Sequence, residues 1–135
     1  MGFIIFSVDR SELRPDQNKT SRLWLIDELY HNNIKFKIVD GCYEGKTEKS
    51  YLVSDIHESF VKSVCDITKQ DCYLKVDNNK NSEIVNKYGD SVAIGLFQNV
   101  TKAVAESLSA YTKDGDNYWI ASKEIYPKPA FKSGV

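Results

Sequence analysis

The sequence predicts a single α+β domain with a mixed β-sheet of five or six strands and two main helices. Its 135 residues suit one domain with one core. Apolar residues make up 41% and charged residues 27%, as is typical of soluble globular proteins. Short β-branched and aromatic runs alternate with segments of helical spacing. We place the domain at residues 1–126, and Pro127 and Pro129 mark a loose C-terminal tail over residues 127–135.

The first half of the chain predicts one helix among three strands. Residues 3–8 form an apolar, β-branched run of strand length. Pro15, followed by an acidic residue, is typical of a helix start, and helical spacing continues to about His31. Apolar residues alternate with lysines over 34–39, which indicates a half-buried strand, and residues 50–53 indicate another.

The second helix and the fourth strand follow. Apolar positions at helical spacing run from Phe60 to Ile67, with Ser54 or Asp55 as the N-cap. Residues 72–76 alternate as a strand does, and the polar segment 77–81 is the strongest loop signal in the chain.

The last third predicts two more strands. Residues 84–89 suggest one or two helical turns that end at Gly89, and residues 92–100 suggest a strand. Residues 101–111 fit either a helix or a strand, and the helix is favoured. A turn signal then precedes a strand at residues 118–121.

The segment GCYEGKT at residues 41–47 resembles a phosphate-binding loop in composition but not in spacing. Such a loop has four residues between its first glycine and its Gly-Lys-Thr element, and it leads into a helix. Only three residues separate Gly41 from Gly45, and strand-like residues follow. We therefore expect a connection between two strands, in which both glycines supply unusual backbone angles and Lys46 is dispensable.

Charge and cysteine content predict an intracellular protein, the histidines indicate no metal site, and we expect no cofactor. The net charge of -1 gives no overall attraction for nucleic acid, and the apolar run at the N-terminus is too short for a signal peptide or a membrane span. Cys42, Cys65 and Cys72 are odd in number and lack C-x-x-C spacing, which suits a reducing cytoplasm. The two histidines, His31 and His57, have no partner suited to chelation.

Five polar residues near strand ends are the candidate ligand-binding residues. Asn18 and Arg22 follow the first strand, Glu48 and Ser50 begin the third, and Gln70 precedes the fourth. Polar groups that converge at strand ends often line a binding crevice. Alternatively, they hold a loop together through buried hydrogen bonds and one arginine–carboxylate pair.

The same positions carry a resemblance to a known family. The chain resembles, over about residues 3–97, an uncharacterised family of small bacterial and phage proteins that includes early proteins of large contractile-tailed phages. The matching positions are Asn18, Arg22, Gly41, Glu48, Ser50, Leu52, Val53, Gln70 and Gly95. The family usually has an Asn-Pro-like element where this chain has Val8-Asp9-Arg10. The resemblance implies the cytoplasm of a host bacterium as the setting.

These observations predict a small accessory phage protein that acts by binding a host protein or a small nucleotide-like ligand. In the ligand version, Arg22 pairs with an anionic group, Asn18 and Gln70 contact polar edges, and Glu48 with Ser50 orients them. Catalytic motifs are absent, so an enzyme acting on a nucleotide or nucleic acid, with Glu48 as general base, is the alternative. A structural interaction protein is a further alternative, and a homo-oligomer is compatible with each of these functions.

Overall fold

The computed structural model describes residues 2–130, which form a closed antiparallel β-barrel with three helices. The described strands are β1 Phe3–Phe6, β2 Phe36–Tyr43, β3 Lys46–Ser54, β4 Cys72–Val76, β5 Asn81–Asn86, β6 Ser91–Val100, β7 Ala110–Asp114 and β8 Asn117–Ser122. The helices are α1 Pro15–His31, α2 Glu58–Ile67 and α3 Lys102–Ser107, and a short 3₁₀ turn, Asp55–His57, precedes α2. Around the barrel the strand order is β1-β3-β2-β7-β8-β6-β5-β4, and β4 closes it by pairing with β1.

The predicted mixed sheet of five or six strands is wrong. Every neighbouring pair of the eight described strands is antiparallel. A helix separates β1 from β2 in the chain, and a connection of that length is compatible with parallel pairing of the two strands. However, β2 and β3 form a hairpin, and β3 rather than β2 pairs with β1.

The predicted helical turn at residues 84–89 is also wrong, because β5 covers residues 81–86. Val85 packs beneath the helices on the outer face of the barrel, whereas the neighbouring Ile84 lines a cavity. A strand with apolar contacts on both faces loses the period of two that identifies it. Residues 101–111 divide between both alternatives, since α3 ends at Ser107 and β7 begins at Ala110.

Local signals for α1 and for the β2–β3 hairpin are confirmed. Pro15 opens the helix, and the Gln17 side chain accepts a hydrogen bond from the backbone N–H of Arg14 over 2.9 Å. The hairpin turn is Glu44-Gly45, whose φ angles of 50° and 80° fit the two-residue turns preferred by hairpins. Gly45 therefore supplies the unusual backbone angle, but Gly41 lies inside β2 and supplies none.

Apolar residues pack on both faces of the barrel wall. The interior cluster comprises Ile5, Val39, Val76 and Phe97, with the partly buried Phe3, Leu52, Leu74 and Trp119. Outside, α1 and α2 cover β1, β3, β4 and β5 through a second cluster that includes the fully buried Leu25 and Leu29. Burying such a leucine contributes about 1.5–3 kcal/mol, so the helices fix the part of the wall that carries the candidate residues.

No helix in residues 2–130 is long and apolar enough to cross a membrane. The assignment of residues 1–126 to a single domain stays a prediction. Part of the expected C-terminal tail, residues 131–135, lies outside the described residues.

Candidate functional site

A cavity of about 290 Å³ opens at the end of the barrel where β1 ends, and we call it the polar cavity. Glu48, Ser50 and Gln70, three of the five candidate residues, line it. The other lining residues are Ile5, Phe6, Ser7, Asp71, Cys72, Tyr73, Leu74 and Ile84. The cavity therefore has an apolar floor toward the barrel interior and a polar mouth.

Strand alternation directs Glu48 and Ser50 into the cavity. Both share one face of β3 with Leu52, which packs in the interior cluster. Opposite them, Gly41 of β2 leaves the space that Ser50 occupies, because a Cβ at position 41 would lie 2.9 Å from the Ser50 Oγ. Gly41 thus permits a close approach, and the buried Ser50 depends on it.

Glu48 is the carboxylate with the most unusual environment in the polar cavity. Its side chain is exposed at the mouth, but the surrounding wall removes part of its hydration. This desolvation raises the pKa of Glu48, the negative charge of Asp9 raises it further, and a hydrogen bond with Ser7 partly offsets both. Within residues 2–130 we find no basic side chain at ion-pair distance from Glu48.

Asn18 and Arg22 hold the β1–α1 loop, residues 7–14, beside the cavity. Asn18 Oδ1 accepts a hydrogen bond from the Arg10 N–H over 2.9 Å, and its Nδ2 donates to the Arg10 carbonyl over 2.9 Å. Arg22 Nε donates to Asp9 Oδ1 over 2.9 Å. Gln70 Nε2 donates to the Asp9 carbonyl over 3.0 Å.

The five candidate residues therefore belong to one neighbourhood but divide by role. Glu48 and Ser50 face the cavity, Asn18 and Arg22 support the loop, and Gln70 does both. Direct ligand contact by all five stays a prediction. The arginine–carboxylate pair of the loop alternative is present between Arg22 and Asp9.

Sequence reasoning did not select Ser7, Asp9 or Cys72 for this site. Ser7 continues the inward-facing alternation of Phe3 and Ile5, so strand period alone could have placed it in the cavity. Asp9 could not be found in this way, because its approach to Glu48 depends on the conformation of the loop that follows β1.

The cysteines near the cavity are not activated nucleophiles. Desolvation and the charges of Asp71 and Glu48 raise the pKa of the Cys72 thiol. Desolvation, with a smaller effect of a neighbouring acid, raises the pKa of Cys65 to about 12. Both side chains therefore remain protonated thiols at neutral pH, and covalent catalysis by a thiolate is not supported.

A groove of about 220 Å³ adjoins the polar cavity and shares Gln70, Cys72 and Tyr73 with it. Its outer wall includes Tyr88, whose side chain is 78% exposed, and the neighbouring Lys87. The combined volume of the cavity and the groove lies within the range of roughly 300–1,000 Å³ that is usual for the binding sites of drug-sized ligands. The arrangement can accommodate an elongated ligand with an aromatic part and a cationic part.

Comparison with known protein families matches residues 4–122 to the S-adenosylmethionine lyase family. The chain belongs to this family. The match runs from β1 to the end of β8 and includes every residue of the polar cavity. A search of curated proteins found no match.

Membership of the S-adenosylmethionine lyase family corrects the predicted function. The expectation of an accessory protein that binds without catalysis is wrong, because the family is named for an enzyme. The family match also extends beyond residues 3–97, the range of the predicted resemblance, and includes the C-terminal strands. Phage origin and the host cytoplasm stay predictions.

Proposed function

We propose that this protein is an enzyme that cleaves a carbon–sulfur bond of S-adenosylmethionine, without water, in the polar cavity. The observation that carries the proposal is Glu48, a partly desolvated carboxylate without a basic partner among the described residues. A ligand with a positive charge stabilises the ionised form of such a carboxylate, because no basic side chain in the described part of the chain does so. S-adenosylmethionine has two such charges, a sulfonium and an ammonium group.

Charge complementarity favours this substrate over a neutral nucleoside. Desolvation and the charge of Asp9 disfavour the ionised form of Glu48, which raises its pKa. A bound cation acts in the opposite direction and lowers the same pKa, so substrate binding and ionisation of Glu48 favour each other. Asp71, also on the cavity wall, forms an ion pair with Lys87 over 3.7 Å, so Glu48 is the carboxylate there that lacks a basic partner among the described residues. The groove beyond Gln70 leaves room for the adenosine part, with Tyr88 as an exposed aromatic surface.

The chemistry needs no protein nucleophile. The carboxylate of the substrate attacks its own γ carbon, a C–O bond forms as the C–S bond breaks, and the electron pair of that bond passes to sulfur. The products are a neutral thioether of adenosine and a five-membered lactone, and no proton is transferred. Glu48 is too weak a base to remove an unactivated C–H proton, so we assign it the role of anchoring a cationic group.

In this scheme the protein accelerates the reaction by fixing the substrate in a folded conformation. Orienting two reacting groups of one molecule removes much of the entropic barrier. Ile5 and Leu74 form an apolar floor that limits the access of water, and Ser50 gives one buried hydroxyl for orientation. We place the reaction in the host bacterial cytoplasm, which the free cysteines and the resemblance to phage proteins support.

The test is incubation of the purified protein with S-adenosylmethionine, followed by mass spectrometry of the products. We expect the adenosine thioether and the lactone in equal amounts. Glu48→Gln should lower kcat/KM about 10- to 150-fold, the equivalent of losing one hydrogen bond to a charged group at about 1.5–3 kcal/mol. Lys46→Ala, in the same strand but at the exposed hairpin end, is the matched control and should retain full activity.

Two results would contradict the proposal. Substrate that stays intact with folded protein would exclude the activity. In water enriched in oxygen-18, early appearance of homoserine labelled at the γ carbon would show that water attacks that carbon, which makes the enzyme a hydrolase.

A further inference from the structure

A second cavity, of about 140 Å³, lies toward the opposite end of β1 and β3, and we call it the aromatic cavity. Its lining residues are Phe3, Ile5, Val39, Leu52, Lys80, Phe97, Thr112, Asp114 and Trp119. Ile5, which is 7% exposed, lines both cavities and lies between them. The aromatic cavity is therefore separate from the polar cavity and unused by the proposed reaction.

The barrel interior is incompletely filled at this end. Phe3, Leu52 and Trp119 belong to the interior cluster, yet each keeps part of its surface exposed. A side chain on the inner face of a closed barrel is exposed either to a space within that barrel or through one of its open ends, and these three side chains line the aromatic cavity. Eight-stranded barrels are just wide enough either to be filled by side chains or to hold one small ligand, and the exposed surfaces favour the second case here.

Aromatic rings shape this space for a flat ligand. Phe97 and Trp119 stack with ring centroids 5.3 Å apart and planes 4° from parallel. Phe3 meets Phe97 edge to face, with centroids 5.4 Å apart. Another ring can continue such a stack, and nucleobases stack well on aromatic side chains.

Polar groups at the rim match the edge of a nucleobase. Asp114 provides acceptor oxygens, and the Lys37 ammonium forms an ion pair with it. Lys80 places its ammonium 5.5 Å from the centroid of the Phe3 ring and provides donors, while Thr112 can donate or accept. Apolar walls with a few convergent polar groups are the usual composition of a small-molecule site.

We propose that the aromatic cavity is a second binding site, which takes a nucleobase between Trp119 and the polar rim. An apolar cavity of about 150 Å³ is known to admit benzene, so 140 Å³ admits the six-membered ring of a base while the remainder extends through the mouth. The choice of adenine as the probe rests on the proposed function, since the substrate and the thioether product carry that base. The site itself does not depend on that function.

Tryptophan fluorescence tests this proposal, because the chain contains only two tryptophans. Trp24 packs on the outer face of the barrel, so Trp24→Phe leaves Trp119 as the sole reporter. Titration of this variant with adenine should give a saturable change in emission. Thr112→Phe, which puts a ring into the rim of the cavity, should weaken that response at least about fivefold, as expected for a displaced stacking contact.

Two further measurements make the outcome unambiguous. Tyr88→Ala, in the groove proposed for the adenosine part of the substrate, should leave the adenine titration unchanged, and loss of the response in that variant would place adenine in the groove and overturn the proposal. In the wild type, adenine should shift the indole N–H resonance of Trp119 and not that of Trp24, even if Thr112→Phe fails to fold. No shift at Trp119 up to millimolar adenine would refute the site. Absence of S-adenosylmethionine cleavage with an intact adenine response would contradict only the proposed function.

Discussion

Replacing Arg22 by alanine removes the guanidinium that donates to Asp9 Oδ1 over 2.9 Å. The Arg22 side chain is 32% exposed and that of Asp9 only 14%, so the pair is neither fully solvated nor fully buried. Exposed pairs contribute about 0.2–1 kcal/mol, and hydrogen bonds to charged groups about 1.5–3 kcal/mol. We therefore expect Arg22→Ala to lower the free energy of unfolding by about 1–3 kcal/mol, which urea denaturation measures as a midpoint shift of about 1 M.

Adding Asp9→Asn to Arg22→Ala separates support of the loop from contact with substrate. The double variant keeps the net charge of the pair at zero and leaves no unpaired carboxylate. If Arg22 only supports the loop, the double variant regains much of the stability and activity that Arg22→Ala loses. If Arg22 binds an anionic group of the substrate, stability returns but kcat/KM does not. The Asp9→Asn single variant completes a double-mutant cycle on the free energy of unfolding. A coupling free energy between Arg22 and Asp9 below about 0.5 kcal/mol would refute the structural role assigned to this pair.

Three other substitutions and one control variant test the fold and the site. Gly95→Ala should cost about 2–6 kcal/mol in the free energy of unfolding, because a Cβ there would lie 2.2 Å from the Ser122 backbone at a φ of 113°. Gly89→Ala, with φ of 86° and open space around it, is the control and should cost only about 1 kcal/mol in the same urea experiment. Glu48→Gln should raise the Tm at neutral pH, since a raised carboxyl pKa destabilises the folded protein once that group ionises; the gain should vanish below the ordinary pKa of glutamate. Lys46→Ala should change neither Tm nor any binding of a nucleoside triphosphate, and a loss of triphosphate binding at unchanged Tm would revive the phosphate-loop interpretation.

Elements with local signals could be predicted from the sequence, and closure of the barrel could not. Pro15 and the Gln17 side chain mark the start of α1 through contacts between residues close in sequence. Gly45 likewise marks the hairpin turn through its own backbone conformation. Closure depends on β4 pairing with β1 across about 70 residues of sequence. No local pattern in the sequence encodes that contact. The next strand, β5, is also hard to recognise, because Val85 is buried on the outer face and interrupts the alternation of polar and apolar residues.

The candidate site was predictable in location but not in the division of roles. Polar residues near strand ends identified Glu48, Ser50 and Gln70, because strand period and strand ends are properties of the sequence. Whether Arg22 faces a ligand or a carboxylate of the protein depends on the β1–α1 loop, whose path places Asp9 within hydrogen-bond distance. The sequence shows that Arg22 can form an ion pair, but only the folded structure shows that Asp9 is its partner.

The segment Glu48-Lys49-Ser50-Tyr51-Leu52 connects function and stability along a single strand. Each step of two residues on the inner face of β3 moves about 6–7 Å deeper into the barrel. Glu48 lies at the mouth with a raised pKa, Ser50 is buried beneath it, and Leu52 packs in the interior cluster. Because one rigid strand holds all three, the carboxylate that destabilises the folded protein is anchored by the residues that stabilise it. Packing of the barrel core therefore offsets the unfavourable free energy of desolvating Glu48. A cationic substrate reduces that unfavourable free energy when it binds, because it stabilises the ionised carboxylate.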